Sequence, residues 1–140
     1  MLRYSRIRFF VLGVVPALNA IGLLLFGLGL ATNGSAGTER AVPLLLVLAG
    51  GLLLATCAAA VKRGRDMGWK AAASLAGLVV SAGLGPVFFV LVGYFALAPG
   101  NPGENAFGPT APPISATAWA WSVVAAVVPW FAAVTAARVM

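Results

Sequence analysis

Four stretches of this chain each run long enough to cross a bilayer without one Asp, Glu, Lys or Arg: residues 9–31, 43–61, 71–98 and about 117–137. A helix rising 1.5 Å per residue needs roughly 20 apolar residues to cross a hydrocarbon core of about 30 Å. A chain of 140 residues folded in water could not hide four such stretches, because small domains leave much of their surface exposed. Charged residues make up 9% of the sequence, against roughly 25% in a soluble domain. Lipid is therefore the solvent for most of the molecule. The fold class read from the sequence is an all-α integral membrane protein, a four-transmembrane-helix bundle forming a single membrane domain over residues 1–140.

The same residue counts exclude several chemistries. With no His and one Cys, no zinc, haem or iron–sulfur ligand set can be built from those residues, and no cofactor is expected. One Cys also excludes an intramolecular disulfide. Three acidic residues leave little for paired-carboxylate chemistry, so the chain reads as a non-enzyme. A net charge of +6 would suggest nucleic acid in a soluble protein. Here the cations flank apolar stretches, which makes them topogenic, and no nucleic-acid partner is expected.

Short linkers predict antiparallel neighbours. An N-in/C-in arrangement puts Arg3, Arg6, Arg8, Lys62, Arg63, Arg65, Lys70 and Arg138 on the cytoplasmic side, leaving Arg40 outside beside Glu39. A cleaved leader is the rival reading of the N-terminus, but a 23-residue apolar run exceeds the ~7–15 residues of a signal core. The third stretch is the longest. Its 28 residues would reach about 42 Å as one helix, and Gly83-Leu84-Gly85-Pro86 in its middle predicts a kink near Pro86, or a first part lying at the cytoplasmic interface. Tilt would relieve the mismatch. A discontinuous helix with a binding site at the break would need polar partners, of which few exist.

Helix association in lipid relies on close packing of small residues. Stripes at four-residue spacing fall at Gly51, Ala55 and Ala59, at Ala73, Gly77, Ser81 and Gly85, and at Ala125, Pro129, Ala133 and Ala137. The second, with two Gly and a Ser, is the leading packing candidate. Asn19, Thr56, Ser74 and Ser81 read as packing hydrogen-bonders, and Tyr94, Trp119, Trp121 and Trp130 as interfacial or packing aromatics. No charged residue lies inside the four apolar cores, which disfavours a proton-coupled transporter.

The basic linker Lys62-Arg63-Gly64-Arg65-Asp66-Met67-Gly68-Trp69-Lys70 surrounds one acid with four cations. Asp66 has Lys62, Arg63 and Lys70 within one helical turn. As a site, Arg63, Arg65, Asp66 and Lys70 would contact an anionic headgroup, with Trp69 at headgroup depth. As plain topology, the linker is a basic loop with one internal ion pair. Past the third stretch, Asn105, Phe107 and Gly108 read as an ordered outer loop, because Asn bonds its own backbone and Gly108-Pro109 stops a helix. Asp66 and Glu104 would then lie on opposite sides of the bilayer.

Three segments resemble a known family. Lys62-Arg63-Gly64-Arg65-Asp66-Met67-Gly68 looks like the Arg-Arg-Leu-His/Arg-Asp-x-Gly signature of the bacterial domain-of-unknown-function 805 family. Arg3-Tyr4-Ser5-Arg6-Ile7-Arg8-Phe9-Phe10 is similar to its Arg-x-x-Arg-x-x-Phe/Tyr-Trp entry to the first helix. Pro102-Gly103-Glu104-Asn105-Ala106-Phe107-Gly108-Pro109 resembles its Gly-x-Asn-x-Phe/Tyr-Gly-Pro motif. In order, these motifs cover about residues 3–113. Lys62 and Gly64 depart from the usual Arg and Leu, and Lys70 with the alanines after it stands where a Ser-Gly-Trp-Trp run is common. A further apolar stretch follows where many members end. The resemblance implies a small multi-pass protein of the bacterial inner membrane, in a family without an established general activity. The function expected is an accessory or self-associating membrane component, with a membrane-protein partner or a homo-oligomer. The alternative is an anionic-lipid-binding or small-solute transport protein using the 62–70 linker.

Overall fold

The computed structural model describes residues 4–33, 40–109 and 114–139, the side chains of 33 and 136–139 excepted. Arg3, Glu39 and the side chains of Ala137 and Arg138 lie outside the described residues. The elements are α1 (Arg6–Phe9), a π turn (Phe10–Val14), α2 (Val15–Asn33), α3 (Ala41–Asp66), α4 (Ala71–Gly83), α5 (Pro86–Leu97) and α6 (Ala116–Val139). Among the described residues no β-strand forms, and one isolated bridge joins Asn105 and Gly108.

Among the described residues, three helices are long and apolar enough to cross a membrane: Arg6–Thr32, Ala41–Asp66 and Ala116–Thr135. The first runs through α1, the π turn and α2 as one rod. Pro16 explains the turn's position, since it has no N–H to return to the preceding helical turn. Val15 N–H accordingly donates five residues back, to Phe10 O. The Thr56 hydroxyl, on α3, sits 3.1 Å from Gly13 O and supplies a donor to the loosened stretch.

Two apolar clusters hold the rods together. One joins α2, α3 and α6 through Ala20, Leu23, Leu45, Ala49 and Ala133. The other joins α1, α3, α4 and α5 through Phe9, Ala59, Ala60, Leu78, Val92 and Phe95. Alanines at the closest approaches are what helix packing in lipid favours. Asn19 fastens α6: its side-chain oxygen accepts from Trp130 Nε1 at 2.6 Å, while its amide donates to Val15 O.

The third apolar stretch differs from the single kinked helix read from the sequence. It is two helices folded into a hairpin, and both its ends lie at the C-terminus of α3. Trp69, just before α4, packs its ring 5.3 Å from Phe95 and 6.1 Å from Tyr94, near the end of α5. Asn101 N–H donates to Asp66 O at 2.9 Å. The reversal has a local cause. Gly85 takes φ +62°, a conformation L side chains rarely adopt, and Pro86 starts α5 where a missing N–H costs nothing. Helices of 13 and 12 residues reach only about 20 and 18 Å, short of the hydrocarbon core.

A second difference follows from the first. Residues 99–109, expected across the bilayer from the basic linker, pack against it instead. The linker is itself mostly helix, since α3 continues through Asp66. Met67 caps it, Gly68 at φ +84° turns the chain away, and Trp69 N–H returns to Gly64 O at 2.8 Å.

Candidate functional site

Of four cations in the linker, one points inward. Arg63 is 0% exposed, and Asp66, one turn later on α3, is 4% exposed. Burying a guanidinium is costly unless every donor is paired. Its Nε donates to Phe95 O at 2.8 Å and its Nη2 to Ala98 O, both at the C-terminal end of α5. Its Nη1 donates to Tyr4 O at 3.2 Å and to the Asp66 carboxylate, completing an ion pair. Those α5 carbonyls are ones a helix end leaves without intrahelical partners, and they carry the negative end of its dipole. One side chain therefore joins the N-terminal segment, α3 and the hairpin.

The surrounding backbone is shaped around this pair. A Cβ on Gly100 would strike the Asp66 carboxylate. A Cβ on Gly64 would strike the Ser74 hydroxyl of α4. Tyr4 N–H donates to Lys62 O at 3.2 Å, and the Tyr4 ring lies under two cations, Lys62 Nζ at 5.0 Å and the Arg8 guanidinium at 5.6 Å. The Asn105 amide donates to Arg65 O at 2.9 Å, while its own oxygen accepts from Phe107 N–H at 2.9 Å. Gly108, at φ +115°, closes this turn by exchanging backbone bonds with Asn105. Among the described residues, no buried side-chain nitrogen or oxygen lacks a partner.

The structure thus brings together Arg63, Asp66, Asn105 and, through its carbonyl, Arg65. Phe107 is half-buried with that loop. Lys70 is exposed and Arg65 half-buried, so these two face outward while Arg63 and Asp66 do not. The small-residue stripe of the third stretch is divided. Ser81 is buried, Gly77 half-buried, and Ala73 and Gly85 are exposed; the inward face of α4 is Ser74, Leu78 and Ser81. Glu104, in the loop packed on the Asp66 end, is exposed. The carbonyls of Phe95 and Ala98, and Gly100 beside the carboxylate, carry no side-chain signal that sequence reasoning could use.

Among the described residues no three His, Cys, Asp or Glu side chains gather as a metal site would require. Residues 2–109 match the model of a family described as a protein of unknown function (DUF805). The match takes in α1 to α5 and the loop after them, while α6 lies beyond it. No curated protein and no solved structure matches the chain.

Proposed function

The chain belongs to the DUF805 family, and on that footing we propose that it is a non-catalytic, multi-pass component of the bacterial inner membrane that acts by association. The observation that carries this reading is the saturation of its buried polar cluster. Each donor group of Arg63 that reaches an acceptor reaches one within the chain, and Asp66 is closed in by Gly100, so the pair holds the fold and offers nothing to a substrate. Leftover small residues support association: Ala73 and Gly85 lie exposed on the hairpin, where a partner helix could approach closely.

In the arrangement proposed, three rods span and the hairpin enters and leaves on the cytoplasmic side. Seven of nine Lys and Arg then lie inside, with Arg40 and Arg138 outside, so the charge bias survives the change from C-in to C-out. Native mass spectrometry after gentle extraction from its own membrane tests the reading. It predicts a defined homo-oligomer or one stoichiometric membrane-protein partner. Monomer alone, or an oligomer or complex left unchanged by Ala73→Leu on that exposed face, would overturn it.

A further inference from the structure

Arg63 and Asp66 are engaged internally, yet strong positive charge remains at the same end of the molecule. Arg6, Arg8 and Lys62 cluster around the first turn of α1, and among the described residues none of them forms an ion pair. Arg6 is exposed, lies within electrostatic reach of Arg63, and sits one turn before Phe10 on the same helix. From Phe10 an apolar groove of about 300 Å³ runs between α2 and α5, past Val14, Leu18, Phe89 and Gly93. A second apolar cavity of about 300 Å³ shares Phe88 and Phe89 with it and continues past Ile21 and Leu24 to Gly85 at the hairpin tip. Between Phe10 and Leu24 the helix rises about 21 Å, which suits one long acyl chain lying along it.

We infer that this groove holds one acyl chain of an anionic phospholipid, whose phosphate is bound by Arg6 at the mouth. Three features select that occupant. The groove is apolar along its length, and it runs from a cationic end toward the middle of α2, as a lipid tail does from its headgroup. An anion at the mouth would meet the carbonyl end of α5, but Arg63 already occupies the Phe95 and Ala98 carbonyls and offsets their charge. One wall of the groove is α5 of the hairpin, through Phe88, Phe89 and Gly93, so its shape depends on the hairpin folding back against α2. The inference rests on the membrane placement proposed above, though not on association with a protein.

Gly93 supplies the test. A Cβ added there meets nothing within 4 Å, so Gly93→Leu fills the groove without crowding the helices. Gly29, which also has open space around it and lies outside the groove, gives the control Gly29→Leu. The full chain is prepared in detergent micelles and offered phosphatidylglycerol or phosphatidylcholine with identical acyl chains, and retained lipid is read by native mass spectrometry. The expected result is one phosphatidylglycerol retained in preference to phosphatidylcholine by the wild type and by Gly29→Leu. Gly93→Leu should lose it, and Arg6→Gln should lose the preference between headgroups. Equal retention by Gly93→Leu and wild type would overturn the groove, and an unchanged preference in Arg6→Gln would overturn the headgroup assignment. A changed oligomeric mass in Gly93→Leu without loss of lipid would assign the groove to a second copy of the chain and overturn the lipid.

Discussion

Arg63 serves the fold through the shape of its fork as much as through its charge. Nε and both terminal nitrogens each meet a different acceptor, contributed by α5, the N-terminal segment and Asp66. Replacing it with Met takes its donors away from the buried Asp66 carboxylate and from the Tyr4, Phe95 and Ala98 carbonyls, which is expected to cost about 3–5 kcal/mol. Thermal unfolding in detergent measures this. Arg63→Lys keeps the charge but presents one ammonium in place of a fork, and should still lose at least about 2 kcal/mol. Near-complete rescue by Lys would show that charge alone matters. The sequence offered Lys62, Arg63 and Lys70 as partners for Asp66, because spacings of three and four on a helix place each of them near it. It did not show which cation turns inward. That choice depends on the Phe95 carbonyl, 32 residues away, and backbone acceptors have no sequence signature.

At the scale of elements, the hairpin is the feature on which everything near Arg63 depends. Its break was legible from Gly83-Leu84-Gly85-Pro86, but a break does not reveal whether the second helix goes on or turns back. The answer lies in contacts on α3. Gly64, with no side chain, leaves room for Ser74 of α4 to close in. Gly64→Ala should therefore destabilise by about 1–3 kcal/mol through overpacking, and Ser74→Ala should recover much of that loss in the double variant. Additive losses would mean the two do not meet. At the tip, Gly85→Ala places a side chain at φ +62° and is expected to cost about 1–2 kcal/mol, with the helix content seen by circular dichroism nearly unchanged. The link to α6 is of another kind: Trp130→Phe removes the donor to Asn19 and should cost about 0.5–2 kcal/mol. Of the α6 stripe, Pro129 and Ala133 are buried and Ala125 is half-buried, while the Ala137 side chain lies outside the described residues. On α3 the stripe does not mark the packing face, because Gly51 and Ala55 are exposed and, of its three residues, Ala59 alone packs. In an alanine-rich helix, spacing alone does not say which face meets a neighbour.

For the molecule as a whole, hydropathy identified the membrane as solvent and located each apolar segment, because segment length against bilayer thickness is a local property. Counting crossings is not local. A 28-residue stretch fits one tilted crossing or a short hairpin equally well, and the two differ in the side on which everything after it lies. Charge bias alone cannot choose, since each arrangement keeps most cations inside. The bonds from Asn101 to Asp66 and from Asn105 to Arg65 place the loop after the hairpin beside the end of α3. In a Cys57→Ser background, Glu104→Cys puts a single thiol on that exposed loop. Spheroplasts treated with a membrane-impermeant maleimide measure its side directly. No labelling of Glu104→Cys is expected until the membrane is permeabilised, with Arg40→Cys labelled in intact spheroplasts; labelling of Glu104→Cys in intact spheroplasts would contradict a hairpin that enters and leaves on the cytoplasmic side.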